Sequence, residues 1–316
     1  MPWLRHTDGI MRLGKIRMSS RAFSPNREAN STIEMEIVMT SVGLVVNTYE
    51  RTYRDVLTPG FFANIAESNR HAFDESVALI NNVDDPADAQ ARAEAMLEAG
   101  EITAFYFVQD LLPAALRHAR LGPRVLRTRP YLLDYGLVMP DAITTEWLLG
   151  WDAEARLDRP VNWIRPSIDL MTSDSRIFHA SLNWHPLDEN DPGLVAETVD
   201  MCGDFSLNYG FSDQLFLVQR QGLKDLKWRT FSPAAIARHA PHPYTFEFRV
   251  ESYQRAMNLY RATLSTVTYS TSTSEQGVIE RTNPSWRDRA TLRLIRSIEH
   301  HAINRIPRTV GPRWSK

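Results

Sequence analysis

Thr145-Glu146-Trp147-Leu148-Leu149-Gly150-Trp151-Asp152-Ala153-Glu154 is an apolar run that ends in two carboxylates one residue apart. Read as a buried strand, the run puts side chains two apart on one face, so Asp152 and Glu154 emerge together at its carboxyl end. Ligands of open α/β sheets gather beyond that end of the strands. Two hard oxygen donors at this spacing suit Mg2+ or Mn2+, which keep several waters and bridge to substrate phosphates. The pair outlines a metal–diphosphate site, with a solvated turn as the alternative reading.

The same acid-x-acid spacing occurs at Glu34-Met35-Glu36 and at Glu189-Asn190-Asp191. Context separates the three. Glu34 and Glu36 flank the start of a strand-like run, and Glu189 to Asp191 lie in a loop rich in Pro, Asp and Asn, whereas Asp152 and Glu154 terminate a strongly apolar stretch.

Upstream, Ile37 to Met39 and Val42 to Val46 carry the β-branched enrichment of buried strand, and polar Asn47 to Arg51 follows at once. Phe61, Phe62, Ile65 and Ala66 give one apolar helical face over 61–70, entered through Pro59-Gly60. A second strand, Ser76 to Ile80, ends in Asn81-Asn82-Val83-Asp84-Asp85-Pro86, which opens a helix over 87–99 stopped at Gly100. A third strand over 102–108 gives way to a helix over 112–121. Strands and helices alternating at these intervals predict right-handed crossovers and a parallel sheet.

Downstream of the acidic pair, the pattern predicts a short helix over 167–174, a strand over 176–184, a strand at Leu215 to Val218 and a helix over 246–260. His185 to Gly210 reads as a long substrate-facing loop. From Arg281 onward nine basic residues face two acidic ones, and Leu292, Ile295, Ile298, Ala302 and Ile306 form an apolar stripe. That is a basic amphipathic helix, docked on the protein's core or lying on an anionic membrane through 286–306. The expected organisation is a poorly ordered segment 1–32, a catalytic domain 33–280 and the basic helix and tail 281–316.

Composition narrows the function. A chain of 316 residues with 43% hydrophobic and 23% charged residues is ordinary for a soluble globular protein. A net charge of −2 argues against a general nucleic-acid binder. The single cysteine, Cys202, excludes an internal disulfide framework and a cysteine-based zinc site, and suits a reducing, cytoplasmic setting. No stretch has the length of an apolar membrane span, and the amino terminus lacks the apolar middle of a secretory signal.

The order of elements from about Val42 to Tyr260 resembles the GT-A fold of nucleotide-sugar-dependent glycosyltransferases, particularly bacterial family-two-like enzymes. The matching motifs are Val45-Val46-Asn47-Thr48-Tyr49-Glu50-Arg51, Asn82-Val83-Asp84-Asp85, Trp151-Asp152-Ala153-Glu154 and Phe246-Glu247-Phe248-Arg249. The resemblance implies a Rossmann-like, mostly parallel sheet flanked by helices, with a nucleoside-diphosphate sugar as donor. It places Thr48, Tyr49, Glu50 and Asp84 or Asp85 against base and ribose, and Asp152 and Glu154 on Mn2+ or Mg2+. An inverting member also needs a general base, for which Glu247 and Asp213 are the candidates. Glu154 is longer than the family's usual second acid, and Phe246-Glu247 departs from its pair of adjacent acids.

Trp184, Tyr209 and Phe211 flank the long loop and are candidates for stacking on a sugar, with core packing as the alternative. His185, His239 and His242 sit near polar loops without a metal-ligand spacing, and adjacent His300 and His301 face different ways on a helix. Other functions compete: a nucleotidyltransferase would carry a Gly-rich phosphate loop where Asn47 to Arg51 has no glycine. A non-catalytic relative would bind a glycan or partner through the same sheet. No Gly-x-Ser-x-Gly elbow supports a hydrolase.

Overall fold

A computed structural model describes residues 40–126, 132–184, 198–239 and 245–271. The expectations for Glu34, Glu36, Glu189, Asp191, His185, His242 and the basic tail lie outside these residues, as do segment 1–32 and the side chain of His239.

The first strand, β1 (Val42–Thr48), is buried along nearly its whole length, as a central parallel strand covered on both faces must be. A single helical turn, α1 (Tyr53–Val56), and α2 (Phe61–Ser68) lead to β2 (Glu75–Ile80). Helix α3 (Pro86–Glu98) starts where expected. Asp85 caps it by accepting the Asp88 N–H at 3.0 Å, and Pro86 contributes a preset φ where no donor is needed.

Strand β3 (Ala104–Phe107) is shorter than the apolar pattern suggests, because α4 (Val108–His118) begins at once and takes Val108 into its own buried face. A 3-10 turn at Pro123–Leu126 follows, then α5 (Asp134–Ala142), β4 (Trp147–Asp152), β5 (Ala155–Leu157), α6 (Ile164–Ser173) and β6 (Ile177–Trp184). Helix α5 is almost entirely buried, so no polar stripe marks its period in the sequence.

The chain then departs from expectation. Within His185 to Gly210, read as one long loop, the structure has a hairpin of β7 (Thr198–Cys202) and β8 (Phe205–Asn208), turned at Gly203 with φ 58°. The strand character was hidden by its polar composition. Ser206 and Asn208 are buried, and their side chains hydrogen-bond to Thr263 while the ladder uses their backbone.

Strand β9 (Leu215–Gln219), short helices α7 (Arg220–Lys224) and α8 (Pro233–His239), α9 (Phe246–Met257) and β10 (Tyr260–Thr271) complete the described chain. Helix α9 is capped by Thr245, whose hydroxyl accepts the Phe248 N–H at 3.1 Å, and stops at left-handed Asn258, short of Tyr260. Its interior holds a buried ion pair, Arg255 Nε to Glu251 Oε1 at 2.6 Å.

Among the described residues the strands form one ten-stranded sheet, ordered β3-β2-β1-β4-β9-β6-β10-β8-β7 with β5 beside β10. The fold is α/β with a mostly parallel sheet: β5, β8 and β9 run against the other strands. One core lies on each face, with Leu44, Val46 and Trp151 on one side and Val45, Leu148, Phe216 and Phe246 on the other. Antiparallel β9 sits between β4 and β6, so the turn that enters it lies at the carboxyl end of β4.

Candidate active site

Asp152 is the last residue of β4, and its N–H donates to the Gln214 carbonyl at 2.7 Å, continuing the ladder with β9. The register therefore brings Asp213, one residue before Gln214, to the edge where Asp152 and Glu154 emerge. Glu247, in the first turn of α9, closes the group by accepting the Asp213 N–H at 3.2 Å. Four carboxylates from three segments thus converge: Asp152 and Glu154, Asp213, and Glu247.

Their electrostatics follow from burial and mutual repulsion. Burial, with the charge of Glu154, pushes the Asp152 carboxyl up to about 6, against a Glu154 N–H that favours its ionised form at 2.8 Å. Asp213 is driven well above the ordinary carboxylate range, first by burial and then by the charge of Glu247 and, further off, Asp152. The Tyr135 hydroxyl donates to Asp213 and partly offsets this. Tyr135 is itself pushed up by burial and the Asp213 charge.

Two more phenols line the cluster. The Tyr49 hydroxyl donates to Glu154 Oε2 at 3.4 Å and is raised by burial and by the charges of Glu154 and Asp152. Tyr269 on β10 reaches Gln214 Oε1 at 3.4 Å and shares a hydrogen bond with Ser212. Tyr135 and Tyr269 were missed from sequence. One sits in an apolar stretch and the other in a Ser/Thr-rich one, and nothing local marks either.

The residues after β1 and β2 divide. Thr48 is buried and its hydroxyl engages Thr52 at 3.1 Å, so its side chain belongs to the turn. Glu50 is partly exposed and accepts the Asp84 N–H at 2.7 Å, joining the two loops at the sheet edge. Asp84 is exposed, and Asp85 is engaged in capping α3. Asp134, at the start of α5, was also missed. It is buried, takes the Asn81 side-chain N–H at 2.9 Å, and is pushed up to about 6 by burial.

The aromatic candidates for sugar stacking separate in the same way. Phe211 is completely buried among His179, Phe216 and Phe246, and Tyr209 is buried against Tyr260, so both are core. Trp184 is half-buried at the end of β6.

Among the described residues no group of three or more His, Cys, Asp or Glu side chains is arranged to enclose a metal ion. The donor set nevertheless fits a cation shared with a phosphate ligand. Asp152 and Glu154 offer two hard oxygen ligands in a cluster whose like charges a divalent cation would relieve, and diphosphate and water complete such a shell.

No family model matches the chain, and no curated protein matches it in sequence. Among solved structures it is similar to glucosyl-3-phosphoglycerate synthase from Mycobacterium tuberculosis in complex with Mn2+, uridine diphosphate and phosphoglyceric acid, at 12% identity and a TM-score of 0.42, over 75% of this chain and 72% of that one. It is similar to the mannosyltransferase PcManGT from Pyrobaculum calidifontis in complex with GDP-Man and Mn2+, at 15% identity and a TM-score of 0.42, over 75% of this chain and 58% of that one. It is similar to GalNAc-T7 with UDP, GalNAc and Mn2+, at 10% identity and a TM-score of 0.42, over 75% of this chain and 44% of that one. No helix among the described residues is long and apolar enough to cross a membrane.

Proposed function

We propose that the protein is a glycosyltransferase that moves a sugar from a nucleoside-diphosphate sugar to a hydroxyl acceptor, with Mn2+ or Mg2+ and with inversion at the anomeric carbon. The observation that carries this reading is the meeting of the Asp152 and Glu154 pair with Asp213 and Glu247 at the carboxyl edge of the sheet. Asp152 and Glu154 hold the cation, and Glu50 with Asp84 faces the nucleoside from the joined loops. The bound cation supplies charge neutralisation on the diphosphate leaving group.

Glu247 is the general base. It lies in the first turn of α9 and accepts the Asp213 N–H. Asp213 is raised well above the ordinary carboxylate range by burial and by Glu247's charge, and this leaves Glu247 as the acceptor for the hydroxyl proton in this reading. Tyr135 orients Asp213.

Calorimetric binding of nucleoside diphosphates and nucleotide sugars, with Mn2+ and with chelator, tests the reading on the wild type and on Asp152→Asn. Metal-dependent binding lost in the variant is expected. Absence of binding to the wild type under every condition overturns the transferase reading.

A further inference from the structure

The structure carries a cleft of about 460 Å³, lined by Leu121, Gly122, Pro123, Arg124, Val125, Arg229 and Arg249. Its three guanidinium groups come from separate segments: the turn after α4, the connection between α7 and α8, and α9. A second cleft of about 400 Å³ shares Arg229 and adds Arg120, Lys224 and Lys227. Across both clefts Asp225 is the single acidic lining residue, and it accepts a hydrogen bond from Gln221 at 3.0 Å.

This concentration of cations is not a consequence of composition, because the chain as a whole carries a net charge of −2. Lys224 is paired with Asp141 at 2.7 Å. Arg124 and Arg229 are exposed, and neither pairs with a carboxylate among the described residues. Arg249 is half-buried, and its Nη1 donates to the Trp228 carbonyl at 3.0 Å, which orients the guanidinium. Guanidinium groups brought together this way repel one another, and a phosphate-bearing ligand relieves that repulsion through paired N–H···O contacts.

We propose that this cleft is an oxyanion site for a phosphoester group, with Arg124 and Arg229 as its mobile donors and Arg249 as its fixed one. Its lining includes none of the four carboxylates of the cluster, where the net charge has the opposite sign and an anion enters only together with a cation. The site needs no divalent metal. The phosphoester belongs to a soluble phosphate compound or to a lipid headgroup, and the two sources are separable by experiment.

Binding of inorganic phosphate is measured by calorimetry in the presence of chelator, alongside co-sedimentation with phosphatidylglycerol-containing vesicles. Wild type, the double variant Arg124→Ala with Arg229→Ala, and Asp152→Asn are compared. Both arginines are exposed, so the double variant is expected to keep the wild-type melting temperature. The expected result is metal-independent binding of phosphate or vesicles, weakened about tenfold or more in the double variant and unchanged in Asp152→Asn. Phosphate binding marks a soluble ligand, and vesicle binding without it marks a headgroup. Failure to bind either probe, or equal binding by the double variant, overturns the site. Asp152→Asn reports separately on the donor site, so the two readings fail independently.

Discussion

The backbone N–H of Asp213 donates to Glu247 Oε1 at 3.2 Å, tying the turn that enters β9 to the first turn of α9. The two residues that sequence reasoning held as rival bases are therefore neighbours, and their charges are coupled. Burial, with the charge of Glu247, holds Asp213 well above the ordinary carboxylate range and so favours its protonated form.

Glu247→Gln should then remove the proton acceptor while keeping the hydrogen bond from Asp213. Turnover should fall by roughly 10²- to 10⁴-fold, with little change in nucleotide affinity. Asp213→Asn, which retains a neutral side chain where a protonated acid stood, should lose less. Steady-state kinetics of the two variants side by side make the comparison, and a larger loss at Asp213 would reverse the assignment.

Tyr135→Phe removes the hydroxyl that donates to Asp213. That hydrogen bond favours the ionised carboxylate, so without it Asp213 should hold its proton to still higher pH. The expected cost is about 1–3 kcal/mol of stability at alkaline pH, where the unpartnered carboxylate must ionise. Denaturant titrations at two pH values measure it. An equal loss at acid pH would mean that packing, not the hydrogen bond, was disturbed.

The Asp152 carboxyl lies at about 6. A cation must displace its proton, so metal-dependent nucleotide binding should weaken by roughly tenfold per pH unit below that value and level off above it. Calorimetry across pH 4.5–8 at fixed Mn2+ traces this limb. Affinity independent of pH through this window would remove Asp152 from the ligand set.

Asp134 is also raised to about 6 by burial, and the Asn81 side chain and the Tyr135 N–H both donate to its Oδ1. The folded state holds this proton more tightly than the unfolded chain. Stability from this group is therefore fully present below about pH 4 and is lost as pH rises through about 6. Asp134→Asn keeps an oxygen for both donors and removes the buried charge. It should stabilise the protein by about 2–3 kcal/mol at pH 8, with the gain vanishing near pH 4. Chemical denaturation at both pH values checks the sign.

Much of the framework was legible in the chain because its signals are local. The continuous apolar runs of β1, β2 and β4 and the capped start of α3 mark parallel strands and their crossover. The abrupt end of β4 in Asp152-Ala153-Glu154 marks the acid pair. Where burial is combined with polar side chains, as in β8 and β10, or with a helix apolar all round, as in α5, the period disappears and the element is missed or misread.

What only the tertiary structure decided is pairing between distant segments. Nothing in Leu215-Phe216-Leu217-Val218 says that the strand inserts antiparallel between β4 and β6, yet that insertion alone carries Asp213 to Asp152. The docking of α9 then adds Glu247, and the buried end of α5 adds Tyr135. Hydrophobic pattern specifies which residues leave water. The neighbours they acquire, and the pKa shifts that follow, depend on packing that joins segments far apart in sequence.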